Sequence, residues 1–135
     1  MFNLFRISLE YAVTLLAASA FLLGGVVNAS GRKAIREEFV RYGFPPWWCW
    51  VTAALEIMTA VLLVFRPTFA AGVVLGACIM VAALFSVLRA RDFRHVVPPA
   101  VFLLLLAVAA FAQFSSSPQR EITGLHGHQY IPNTL

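Results

Sequence analysis

One carboxyl group stands where carboxyl groups are expensive. Glu56 falls midway along "TAALEIMTAVLLV" (52–64), a stretch otherwise suited to hydrocarbon. An ionised side chain at the centre of a bilayer costs roughly 2.5–3.5 kcal/mol on insertion scales. No Lys, Arg or His lies near the middle of any other apolar run, so no cation is at hand and the neutral acid is the cheaper form. A neutral acid donates one hydrogen bond and accepts others. Two uses fit: a clasp to a neighbouring helix, or a polar anchor for a ligand or an exchangeable proton in a cavity. At helical spacing Cys49, Thr52, Thr59 and Ala60 share its face, while Val51, Leu55, Ile57, Met58, Val61 and Leu62 fill the rest. The polar face should therefore point into a bundle.

Other chemistry-bearing residues offer less. His126-x-His128 in the tail amounts to half a metal site, and no metal is expected. Glu10, one turn from Arg6, reads as a solvated interfacial pair. Cys49 and Cys78 sit at depths too different for a disulfide, whose Cα atoms lie about 5.5–6 Å apart. The apolar runs hold no haem ligand pair, and the chain has no CxxC, no Rossmann glycine fingerprint and no nucleophile motif. An independent enzyme is not expected, and no catalytic residue is assigned.

The elements that must position Glu56 follow from composition. The 135 residues are 61% hydrophobic and 12% charged, against about 45–50% and 25% in soluble domains. A membrane span needs roughly 20 apolar residues, and four runs qualify: 7–27, 47–65, 69–88 and 96–114. The expected fold is all-α, a polytopic, antiparallel four-transmembrane-helix bundle over 1–114, followed by a mobile polar tail over 115–135. The first run resembles a signal peptide with Ala18-Ser19-Ala20 as a cleavage site, but it continues past that triplet and reads as the first helix. Seven of the 10 Lys and Arg (Arg32, Lys33, Arg36, Arg41, Arg89, Arg91, Arg94) fall in the first and third loops. The positive-inside rule then puts those loops in the cytoplasm and both termini outside. The formal charge of +4 lies beside the spans rather than in a basic stripe, which argues for lipid contact and against nucleic acid.

Connections refine the bundle. Arg66-Pro67-Thr68 is near the minimum for a helical hairpin, and Pro98 and Pro99 suit the first turn of the last span. In the first loop Ile35, Phe39 and Tyr42 recur at i, i+4 and i+7, predicting a short amphipathic helix over about 31–42 on the bilayer surface. Trp47, Trp48 and Trp50 follow, as an interfacial belt or a stacking surface for a ligand. Small faces complete the interior. Gly72 and Gly76 form a G-x-x-x-G pair prolonged by Ala83, and Thr14, Ala17, Phe21, Gly24 or Gly25, and Asn28 share a side of the first span. The Gly72/Gly76 face would also let a second copy dock as a homo-oligomer.

Taken in order, a glycine late in the first span (Gly25), "RYGFPPWW" (41–48), Leu55-Glu56, "LLVFRPT" (62–68) and "AGVVLGACIMVAAL" (71–84) resemble the DoxX-like family of small four-helix membrane proteins. The resemblance covers about 10–111. It implies that Glu56 is a family feature. Family members often carry a lysine three residues after that glycine, where this chain has Asn28, so a fixed positive charge is replaced by an amide. Relatives include the membrane subunit of a thiosulfate–quinone oxidoreductase, proteins associated with thiol or oxidative stress, and a eukaryotic branch that helps receptors assemble. The resemblance does not by itself fix an activity; the reading it favours is a redox-linked bacterial inner-membrane subunit binding a quinone or similar apolar ligand. Its expected pocket comprises Glu56, Thr52, Thr59, Cys49, Asn28, Gly25, Gly76 and Trp48. The alternative is a non-enzymatic anchor or assembly factor for a partner membrane protein. Transport of a small apolar molecule is a third reading that would need an oligomer.

Overall fold

The computed structural model describes residues 1–115; the tail, with His126 and His128, lies outside the described residues. Five helices follow in order: α1 (Phe2–Ala29), α2 (Lys33–Arg41), α3 (Trp48–Val64), α4 (Phe69–Arg89) and α5 (Val97–Ser115). Short 3-10 turns at Arg66–Thr68 and Phe93–His95 introduce α4 and α5. No strand occurs among the described residues. The stretches containing α1, α4 and α5 are long and apolar enough to cross a membrane. With 17 residues, α3 is shorter, about 25 Å at 1.5 Å per residue. Its start is set by Pro45 and Pro46, which force a turn closed by the Trp48 amide on the Pro45 carbonyl at 3.0 Å.

The packing order is α1–α3–α4–α5 and back to α1. Specific pairs fix the register. Gly25 of α1 lies against Ala53 and Ile57 of α3, and Gly72 of α4 against Leu62 and Leu63. Phe69 meets Phe114 edge-on at 6.4 Å between ring centroids, Phe21 meets Phe102 at 5.0 Å, and the Gln113 amide donates to the Thr14 hydroxyl at 3.4 Å. The four helices converge where a Cβ on Gly76 would meet Thr59, Leu106 and Phe21 at 2.9–3.0 Å.

Side-chain sizes are distributed as a bilayer demands. Ala17, Ala18, Ala53, Ala60 and Ala109 are buried, whereas Leu23, Val74, Phe85, Leu104 and Phe111 are among the exposed large side chains. With lipid as apolar as leucine, close backbone approach and van der Waals contact replace the hydrophobic effect. This corrects one expectation. The Gly72/Gly76 face is consumed inside the chain, against α3, α5 and α1, so a second copy cannot dock on it.

Glu10 also departs from expectation. It is 5% exposed rather than a solvated partner of Arg6. Because α1 begins at Phe2, position 10 is already more than two turns into the helix, on the stripe that carries buried Thr14.

Candidate functional site: the Glu56–Asn28 pair

The α1–α3 seam builds the site. A Cβ on Gly25 would stand 2.7 Å from Ile57 Cγ1 and 3.1 Å from the Ala53 carbonyl oxygen, so only glycine allows the two backbones this close. That approach brings Asn28, three residues on, within reach of Glu56. Its Nδ2 donates to Glu56 Oε2 at 2.8 Å. The Trp50 indole N–H donates to the Ala29 carbonyl at 3.2 Å, pinning the end of α1 to the first turn of α3. The chain turns there through Gly31 (φ +56°), where a Cβ would come within 2.9 Å of the Trp50 ring.

Glu56 is 5% exposed. Its Oε2 is held by Asn28, while Oε1 takes no hydrogen bond from the described residues. Beside it Gly24 offers no side chain, and a Cβ there would meet the carboxyl atoms at 3.4–3.5 Å.

The residues expected to line one pocket fall in three places. Asn28 and Gly25 accompany Glu56. Thr59 and Gly76 meet at the centre of the bundle, and the Thr59 hydroxyl is turned back to the Leu55 carbonyl at 2.9 Å. Cys49, Thr52 and Trp48 lie in the opening turns of α3. There the Cys49 thiol donates to the Pro46 carbonyl (3.3 Å), the Thr52 hydroxyl to the Trp48 carbonyl (3.2 Å), and Trp48 stacks on Phe44 at 5.8 Å. Each of these hydroxyls satisfies its own helix, as Ser and Thr commonly do. A surface hollow of about 270 Å³ lies elsewhere, lined by Lys33, Arg36, Glu37, Val40 and Pro46.

A polar cluster at the same end of the bundle escaped the sequence reading. Asp92 Oδ2 accepts from Arg41 Nη1 (3.3 Å) and the Tyr42 hydroxyl (3.1 Å), and lies 2.8 Å from His95 Nδ1. The other ring nitrogen of His95 stands 3.5 Å from Glu38 Oε1. This cluster ties α2 to the segment before α5. Asp92 is aimed by the end of α4: Arg91 adopts φ 56°, and the Asp92 amide closes onto the Val87 carbonyl at 3.1 Å, a left-handed helix terminus usually assigned to glycine. The only signal in the sequence was a set of loop charges, which served there to set topology.

The cluster carries a pH prediction. The hydrogen bond from His95, followed in effect by that from Tyr42, holds the Asp92 carboxyl below its ordinary value of 3.8. Burial, then the Asp92 hydrogen bond, pushes the Tyr42 hydroxyl up from 10.0 to about 12. A lowered acid stabilises above its unfolded value and loses that effect as pH falls; a raised phenol stabilises below its unfolded value and loses it as pH rises. The Asp92 part of the fastening should therefore be lost as pH falls below about 4, and the Tyr42 part as pH rises above about 10. Asp92→Asn should raise hydrogen exchange across α2 at neutral pH and flatten the acid limb; unchanged exchange would mean the cluster does not hold the helix.

The fold and its interior define an integral membrane protein of apolar helices with a carboxyl–amide pair buried between two of them. The model of the DoxX-like family matches residues 12–109, and the chain belongs to that family. No curated protein and no solved structure matches it.

Proposed function

We propose that the chain spans a bacterial inner membrane with four antiparallel helices and holds the polar head of a quinone or similar apolar molecule at Glu56, as the membrane subunit of a redox system. The pairings along each seam support the antiparallel arrangement: Gly25 with Ala53 and Ile57, Gly72 with Leu62 and Leu63, Phe69 with Phe114 and Thr14 with Gln113. In this arrangement α3 is the short span, α2 lies on the surface, and the two basic loops face the cytoplasm.

The observation that carries the ligand reading is the half-used carboxyl. A carboxyl group has about four lone-pair sites, and Asn28 occupies one. As the acid, Oε1 can donate to a quinone carbonyl; as the carboxylate, it can accept from a quinol hydroxyl. Proton exchange with a ligand whose electrons come and go elsewhere is within reach of this one group. Asn28 supplies an amide where relatives often place a lysine, so it orients the carboxyl without fixing its charge. Electrons would pass to and from a partner protein or a diffusible cofactor.

The hydrogen bond itself favours the second reading. A buried Glu–Asn pair is sufficient as a clasp, and the chain would then serve as an anchor or assembly factor for another membrane protein. Native mass spectrometry from lipid nanodiscs separates the two. The ligand reading expects a bound quinone or quinol in the wild type, quinol depleted in Glu56→Gln with the fold intact, and both lost in Glu56→Leu. The anchor reading expects bulk phospholipid in all samples and a co-purifying protein unaffected by Glu56→Gln.

A further inference from the structure

We infer that the Glu56 carboxyl opens sideways to the bilayer, through the gap left by the missing side chain of Gly24, and so receives a lipid-soluble molecule arriving from the membrane. The inference rests on the ligand reading and adds a route and a gatekeeper. It begins with what surrounds the carboxyl. The nearest neighbours of a Cβ built on Gly24 are Glu56 Oε1 at 3.4 Å, Cδ at 3.5 Å and Oε2 at 3.5 Å. Gly24 is half-buried, but its neighbours along α1 face outward: Leu23 is 66% and Val27 is 56% exposed. The carboxyl thus lies just behind the lipid-facing surface of α1, at the residue that has nothing to cover it.

The bundle centre and the loop end are occupied. Toward the bundle centre, Phe21 and Thr59 are 0% and Leu106 is 2% exposed, and Gly76 is packed so tightly that a Cβ would be within 3.0 Å of all three. Toward the loops, Asn28 covers Oε2 and the Trp50 indole fastens the end of α1. Among the described residues no sealed side-chain oxygen or nitrogen lacks a hydrogen-bond partner. Oε1, which takes none, is therefore an atom its surroundings can still reach. The opening is atom-sized, fitting a ligand whose oxygen meets the carboxyl while its apolar body stays in lipid.

Carbodiimide labelling tests the route without assuming a ligand. The carboxylic acid adds across one C=N bond of the reagent, and an acyl shift then gives a stable N-acylurea with no atom lost. The probes are dicyclohexylcarbodiimide, which partitions into lipid, and a cationic water-soluble carbodiimide, both applied to the full chain in nanodiscs and read by peptide mass spectrometry. The lipid-soluble reagent should modify Glu56 and the water-soluble one should not. Gly24→Ala, whose methyl fits in ordinary contact with the carboxyl, should slow labelling about tenfold, and Gly24→Leu should abolish it. Thermal stability of Gly24→Ala should be equal to or above wild type, since alanine favours a helix, which separates a covered carboxyl from a misfolded one. Equal labelling in wild type and Gly24→Ala, faster labelling by the water-soluble reagent, or no labelling by either would overturn the route. Lipid-phase labelling without any retained quinone would leave the route standing and refute the ligand reading. Quinone retained while Gly24 variants label normally would do the reverse.

Discussion

Gly25→Leu is expected to push α1 away from α3 and to unfold the bundle under conditions the wild type survives. A Cβ alone would stand 2.7 Å from Ile57 Cγ1, 3.1 Å from the Ala53 carbonyl oxygen and 3.2 Å from the Ile57 amide nitrogen. Two of those three atoms are backbone and cannot swing aside, so relief requires moving a helix. Overpacking in a tight core costs about 1–3 kcal/mol, occasionally more, and the upper end applies here. Displacement would also break the Asn28–Glu56 bond, which depends on the same approach. Unfolding in mixed detergent micelles, followed by circular dichroism, measures the effect. Gly24→Ala, one residue away, is the control, because a Cβ there meets only ordinary contacts. A Gly25→Leu protein as stable as wild type would mean that the α1–α3 approach does not hold the bundle together.

The second large effect concerns Glu56 itself, where two substitutions divide its roles. Leucine removes both the clasp and the ligand group. It leaves the Asn28 amide without its partner, at about 1–3 kcal/mol if that donor stays buried. Glutamine keeps an oxygen for Asn28 and replaces Oε1 with an amide that can donate but cannot accept or exchange a proton. Glu56→Gln should therefore melt near wild type while quinol retention falls about 10- to 100-fold, the equivalent of one hydrogen bond to a charged group. Glu56→Leu should lose both stability and ligand. If glutamine and leucine destabilise equally and neither changes ligand content, Glu56 is a structural residue alone.

Much of this architecture could be read from the amino-acid sequence. Long apolar runs separated by Pro-rich and charged turns fix helices closely, because hydrocarbon leaves the backbone no other way to satisfy its hydrogen bonds. The polar face of α3 was equally legible, since Glu56 is conspicuous by cost. Its partner was harder to see. Asn28 appeared among several small and polar residues of α1, and the family resemblance placed it in the expected pocket, but its bond to Glu56 follows only from the register between helices. That register depends on Gly25 meeting Ala53 and Ile57 across the seam, a three-dimensional fit that periodicity does not encode. The same limit applies to the hydroxyls of Thr52 and Thr59. Helical spacing places them on the face of Glu56, but their hydroxyls bond to carbonyls four residues back. Gly72 and Gly76 carried a real packing signal whose partner, α3 rather than a second copy, only the folded chain reveals. Asp92 carried only the signal of a loop charge, because Arg41 and Tyr42 lie far from it in sequence and only His95 is near.

The central claim, that Glu56 meets the head group of a quinone-type ligand, is tested most directly by photolabelling. An azidoquinone is bound to the protein in nanodiscs, illuminated, and the attachment sites are mapped by peptide mass spectrometry with and without excess unmodified quinone. The account predicts attachment concentrated on the turns of α1 and α3 around Gly24, Asn28 and Glu56, displaced by excess quinone and lost in Glu56→Leu. Attachment scattered over the lipid-facing side chains of all the long helices, indifferent to competitor and to Glu56, would contradict it.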